Sequence, residues 1–181
     1  MEARRKLAIV APGPSWVEAP WHRLDLDFWM INEMERHQPP RADRWIELHP
    51  LCIPGYPEHT DHIRFLGTVH AVPVVMQGHF NAVPRSYPYP RDKVMAEFGR
   101  YFRCTAAWAL ALALHEGAGF RYREIGLYGI DFQPEYPDPQ APKQRANVEY
   151  YIGLARGRGV EVMIASGSHL CREEGLYGFE P

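Results

Sequence analysis

Lys6-Leu-Ala-Ile-Val-Ala-Pro-Gly-Pro-Ser15 and Glu124-Ile-Gly-Leu-Tyr-Gly-Ile-Asp131 decide how this chain is read. Each is a short apolar run that ends in small or polar residues. A parallel strand is covered on both faces, so it reads as continuous apolar sequence rather than as an alternation. The ends of such strands form the carboxyl edge of an α/β sheet, where ligands bind. Gly13 has no Cβ, which lets its backbone approach a phosphate, and Ser15 offers a hydroxyl and a helix-start signal. Asp131 is a carboxylate placed just past a buried strand. The pair points to a nucleotide-type ligand held across one crevice. Pro12-Gly-Pro-Ser15 alone is equally a simple turn, because it has neither a Gly-x-Gly-x-x-Gly fingerprint nor a Gly-Lys-Ser/Thr phosphate loop.

Working outward, Asp27-Phe-Trp-Met-Ile-Asn32 and Arg44-Trp-Ile-Glu-Leu-His49 read as further strands with polar ends. Ala71-Val-Pro-Val-Val-Met76 reads as a fourth, and Pro73 favours an edge position for it. Val160-Glu-Val-Met-Ile164 is the last, with Ser166-Gly-Ser-His-Leu170 as the turn beyond it. A helix or turn is expected over 17–23, one long helix over 92–116 closed by Gly117 and Gly119, and an amphipathic helix over 144–156. Residues 50–62 and 77–91 are rich in Pro, Gly, His and Tyr and read as long loops. Strands alternating with helices predict an α/β fold: a single Rossmann-like domain over 1–181, with a mostly parallel sheet flanked by helices. In that fold 12–15, Asn32, His49, Asp131 and 166–169 all face one edge. The convergence is more specific than any one motif.

Composition narrows the function. The chain has 181 residues, 46% hydrophobic, and a net charge of −2. No basic excess marks a nucleic-acid binder, yet a few arginines suffice for a small anionic ligand. Cys52, Cys104 and Cys171 are scattered and odd in number, as expected of reduced thiols in a cytoplasmic protein. The apolar run after the N-terminus is too short for a signal peptide, and the stretch 106–114 is about half a membrane span.

The order of motifs resembles the bacterial sialyltransferases of glycosyltransferase family forty-two and, more distantly, the Rossmann-like proteins of the motility-associated glycosyltransferase group. The family opens with a strand and an Asn-Gly-Pro-Ser loop; here the loop is Pro12-Gly-Pro-Ser15. Its second strand ends in asparagine, as at Asn32. Its next ends in asparagine-proline, where this chain has His49-Pro50. An Arg-x-Thr segment opens a small-residue helix, as at Arg103-Cys-Thr105, and a Gly-Ile-Asp-Phe strand end follows, as at Gly129-Ile-Asp-Phe132. The resemblance implies a nucleotide at the first loop, Asn32 and the Arg103–Thr105 helix start. It also implies CMP-sialic acid as donor, inversion at the anomeric carbon, and no metal. Two departures stand out. The loop before the last helix, Pro139-Gln-Ala-Pro-Lys-Gln-Arg145, lacks the family's catalytic histidine. The family's tyrosine after Gly-Ile-Asp-Phe is Gln133 here, with Tyr136 nearby as a substitute for a second family tyrosine.

These readings assign Gly13 and Ser15 to the phosphates, Asn32 and Asp131 to base, ribose or sugar, and Arg103, Thr105 and Tyr136 to the leaving nucleotide. Fixed donors aimed at a departing phosphate are the main demand of glycosyl transfer. Asp131 is also a candidate catalytic carboxylate, and His49 and His169 are candidate bases. The expected ligand is a small nucleotide or nucleotide sugar, with no metal, no nucleic acid and no membrane span. Two other readings stay open: a non-catalytic nucleotide-binding module, and a nucleotide or phosphoester hydrolase, metal-assisted through His49, His59 and His62.

Overall fold

The computed structural model describes residues 5–69, 71–116, 122–133 and 138–172. Seven strands form one sheet in the order β5-β4-β3-β2-β1-β6-β7, and every pairing is parallel. They are β1 (Arg5–Val10), β2 (Leu26–Ile31), β3 (Arg44–Ile46), β4 (Val74–Met76), β5 (Ser86–Pro88), β6 (Tyr122–Tyr128) and β7 (Glu161–Ile164). The four α-helices among the described residues are α1 (Pro57–Thr68), α2 (Arg91–Phe98), α3 (Thr105–Glu116) and α4 (Ala141–Gly157). The α/β sheet expected from the alternation is therefore present. Strand order reverses beside β1, with β2 on one side and β6 on the other, which makes the β1/β6 boundary the topological switch point.

Two apolar cores cover the two faces. Leu7, Ile9, Trp29, Ile31, Ile46, Val75, Ile125 and Leu127 point to one face, where α2, α3 and α4 pack. Ala8, Val10, Phe28, Met30, Trp45, Val74 and Met76 point to the other, under Ile63 and Leu66 of α1 and Ala19 and Met34 of the short connections. The strand period of two divides each run between the cores. Helix α3 is apolar nearly all round because it lies against both the sheet and its helical neighbours; Ala106, Ala107 and 109–114 are all buried.

The structure corrects several expectations. The helix expected over 92–116 is two helices, because Gly99 at φ +79 ends α2 in a conformation that other residues rarely adopt. Of the helix or turn expected over 17–23, the structure forms the end of a 3₁₀ helix, Pro14–Glu18, and a turn at 21–22. Much of the loop expected over 50–62 is the start of α1, and the loop over 77–91 contains β5. Strand β4 is interior, between β3 and β5. Pro73 lies just before it, so the ladder needs no N–H there, and its carbonyl accepts the Trp45 N–H at 3.0 Å. No helix among the described residues is long and apolar enough to cross a membrane.

Candidate functional site

The switch point is closed by its own residues. The Gly13 N–H donates to Gly129 O at 3.0 Å, the Ser15 N–H donates to Asp131 Oδ2 at 2.8 Å, and the Ser15 hydroxyl donates to Asp131 Oδ1. The Gly129 N–H in turn donates to Ser15 Oγ at 2.8 Å. A Cβ on Gly13 would lie 2.5 Å from Gly129 O, and one on Gly129 would lie 1.8 Å from Ala11 O. The glycines here let two loops cross. Asp131 is 6% exposed and both its carboxylate oxygens face Ser15. Beside it, the His169 N–H donates to Asp131 O at 2.8 Å and Ser168 Oγ to Ile130 O at 2.7 Å. Glu18 accepts the Ser166 and Gly167 N–H groups at 2.7 and 2.9 Å. Burial opposes the Glu18 charge, but these two donors outweigh it and hold the carboxyl below its ordinary range.

A second polar cluster forms at the end of β3. Glu47 is fully buried. Its Oε1 accepts the His49 backbone N–H at 2.6 Å and faces His49 Nδ1 at 2.7 Å. Its Oε2 lies 3.1 Å from His62 Nε2, off the hydrogen-bond line, so that contact is an ion pair. His62 Nδ1 meets Glu35 Oε2 at 2.8 Å. Burial pushes the Glu47 carboxyl up, but His49 and His62 outweigh it and hold it at about 2. Burial likewise opposes the His62 charge, and Glu35 and Glu47 outweigh it, raising the ring to about 9. The hydrogen bond to Glu47 lifts His49 above its ordinary value against the pull of burial. His59 is spent on Pro50 O at 2.7 Å and Glu33 at 3.3 Å. Among the described residues no group of side chains is disposed to hold a metal ion. Of the three histidines of the metal-assisted reading, both ring nitrogens of His59 and His62 and Nδ1 of His49 face carboxylates or the Pro50 carbonyl.

Between helices and sheet edge lies a cavity of about 380 Å³, lined by Leu48, His49, Phe102, Arg103, Cys104, Thr105, Trp108, Gln140 and Gln144. It adjoins a second, of about 680 Å³, that shares Leu48 and Trp108 and extends over Gln77, Tyr89 and the start of α2. Asn147 of α4 fixes the segment that carries Phe102 and Arg103. It is fully buried, accepts the Arg103 N–H at 2.6 Å and donates to Tyr101 O at 2.8 Å. Phe102 is stacked on Trp108, with ring centroids 3.5 Å apart. The Arg103 side chain is exposed and makes no ion pair among the described residues. Cys104 caps α3. Burial pushes its thiol up, while the Ala107 and Ala106 N–H groups directed at the sulfur pull the other way. Sulfur is a weak acceptor, so the helix end keeps its positive potential.

The structure thus brings His49, Arg103 and Thr105 around one cavity. Gly13, Ser15, Asp131 and His169 meet instead at the β1/β6 crossing, and none of them lines that cavity. Asn32 ends β2 at φ +53; its carbonyl accepts Trp45 Nε1–H at 2.8 Å and its side-chain Oδ1 is buried without a partner. Tyr136 lies outside the described residues. Glu47, Gln140 and Gln144 were not singled out in the sequence. A carboxylate inside the apolar strand Arg44–Ile46 and its extension was the available signal for Glu47.

No protein-family model matches the chain, and no curated protein matches it in sequence. Among solved structures, the sialyltransferase CstII from Campylobacter jejuni, in complex with the substrate analogue CMP-3FNeuAc, matches with a TM-score of 0.57. The match covers 89% of this chain and 80% of that one, at 18% identity. The chain has a sialyltransferase-like fold. At that identity the likeness establishes the architecture alone, and the chemistry must be argued from the site.

Proposed function

We propose that this chain is a glycosyltransferase-like protein that binds a nucleotide sugar at the carboxyl edge and transfers the sugar without a metal. The observation that carries this is the meeting of His49, the exposed Arg103 and the first turn of α3 around one cavity, in a fold shared with a protein solved with a CMP-sugar analogue. Arg103 and the α3 N-terminus supply positive potential for the phosphate. Asn32, at the end of β2, is the residue assigned to the base or ribose. Gly13, Ser15 and Asp131 hold the first loop in place, with His169 bonded beside them. His49 is the proton acceptor for the acceptor hydroxyl. Residues 1–181 serve as one nucleotide-binding domain.

The test is thermal stability of the purified protein with CMP, UMP, GMP, AMP and their nucleotide sugars. A ligand that binds only the native state at a hundredfold excess over Kd adds about 2.7 kcal/mol. A shift with one nucleotide, lost in Arg103→Ala, is expected. Absence of any shift overturns nucleotide binding. A shift without product from any nucleotide sugar and hydroxyl acceptor makes the chain a binding module.

A further inference from the structure

Glu47 stands out as a fully buried carboxylate just past the apolar residues of β3. A fully buried ionised group is costly unless it is paired, and replacing such a group with an apolar one is often neutral. Here the cost is met by a chain of contacts across three segments. Glu35 comes from the connection after β2, His62 from α1, and Glu47 and His49 from the end of β3. Successive contacts along it measure 2.8, 3.1 and 2.7 Å. The two inner members are sealed, with the side chains of Glu47 and His62 0% exposed, whereas the two ends reach solvent, Glu35 at 14% and His49 at 42%. His49 lines the cavity beside Arg103 and Thr105. Its Nδ1 is occupied by Glu47, and its Nε2 has no hydrogen-bond partner among the described residues.

We propose that Glu47 is a positioning residue for His49: it accepts the Nδ1 proton bond, fixes the ring, and leaves Nε2 bare at the cavity to receive a proton from a hydroxyl acceptor. His62, held by Glu35, keeps Glu47 ionised. The same logic operates wherever a carboxylate fixes the tautomer of a working histidine. The reaction rests on the transferase reading above; the geometry does not. In the step, the acceptor hydroxyl proton passes to Nε2 and the oxygen's electron pair forms the bond to the anomeric carbon. The bond from that carbon to the nucleotide phosphate breaks, and its pair leaves on the phosphate. The resulting imidazolium faces Glu47. This supplies a proton acceptor at β3, on a different element from the loop 139–145 where no histidine is found.

The groups facing His49 are Glu47 on its own segment, Glu33 after β2, His59 and His62 of α1, and Arg103 across the cavity. Glu47 and Glu33 favour the charged ring, and His62 and Arg103 oppose it. Histidine-selective ¹⁵N NMR tests the assignment, with His49→Asn identifying the resonance. The neutral His49 ring is expected to carry its proton on Nδ1 and to titrate above its ordinary value. In Glu47→Gln the midpoint is expected to fall, because the partner that favours the charged ring is then neutral. A neutral ring protonated on Nε2, or an unchanged midpoint in Glu47→Gln, overturns the proposal. The tautomer is read on the unaltered protein, so that arm stands even if Glu47→Gln does not fold. Failure of nucleotides to stabilise the protein would overturn the transferase reading separately, without touching the NMR result.

Discussion

At the scale of single residues, Asp131 and Arg103 do different work at the sheet edge. Asp131 is satisfied inside the fold: the Ser15 N–H and hydroxyl occupy both of its oxygens. Removing it strands a buried N–H, and hydrogen bonds to a charged group contribute about 1.5–3 kcal/mol each. Asp131→Ala is therefore expected to lower unfolding free energy by about 2–3 kcal/mol in urea denaturation. Arg103→Ala, on an exposed side chain, is expected to stay within about 0.5 kcal/mol. Equal losses in the two variants would contradict this division of labour. The contrast makes Arg103 the cleaner probe of ligand binding, since loss of a ligand shift there does not reflect loss of the fold. Gly13 teaches the same lesson. Its missing Cβ is explained by the crossing at Gly129, so a glycine that reads as a phosphate contact is also one that lets two loops pass.

At the scale of elements, the cavity depends on the seam between α2 and α3. Gly99 ends one helix and Thr105 begins the next, and the residues between them carry Tyr101, Phe102 and Arg103. Asn147 of α4 clamps that seam by bonding to the Arg103 N–H and the Tyr101 carbonyl. Asn147→Ala removes both bonds from a buried site, at an expected cost of about 2 kcal/mol. Amide hydrogen exchange is expected to speed up over 100–105 more than over 106–116; uniform acceleration would mean that Asn147 supports the whole fold rather than the seam. The same element scale explains why α1 escaped notice. Its buried positions are His59, His62, Ile63 and Leu66, at helical spacing, but two of the four are histidines. An apolar stripe is the usual signal of a helix face, and here it is half imidazole because the partners are carboxylates from elsewhere. β5 reads as loop because of Pro88: the strand lies at the sheet edge, paired with β4 on one side, where a residue without an N–H is tolerated.

At the scale of the whole molecule, the buried charges couple stability to pH. The folded pKa of Glu47 is depressed from its ordinary 4.5 to about 2, so its contribution is present above the ordinary value and is lost as pH falls toward 2. The folded pKa of His62 is raised from 6.5 to about 9, so its contribution is present below 6.5 and is lost as pH rises through 9. Together they favour the native state most between 4.5 and 6.5. Melting temperature is expected to decline from pH 6.5 to 9, and His62→Gln is expected to flatten that decline; an equal slope in both would remove His62 as its source. The sequence alone determined the α/β class and the places of β1, β2, β3, β4, β6 and β7, because burial on both faces writes itself into each strand as a local apolar run. It also determined that polar residues follow those runs. Only the tertiary structure decided which of them meet. Ser15 finds Asp131 across the switch point, and Glu47 finds His62 when α1 packs over β3. Contacts between residues far apart in the chain leave no period to read, since they arise from how layers stack.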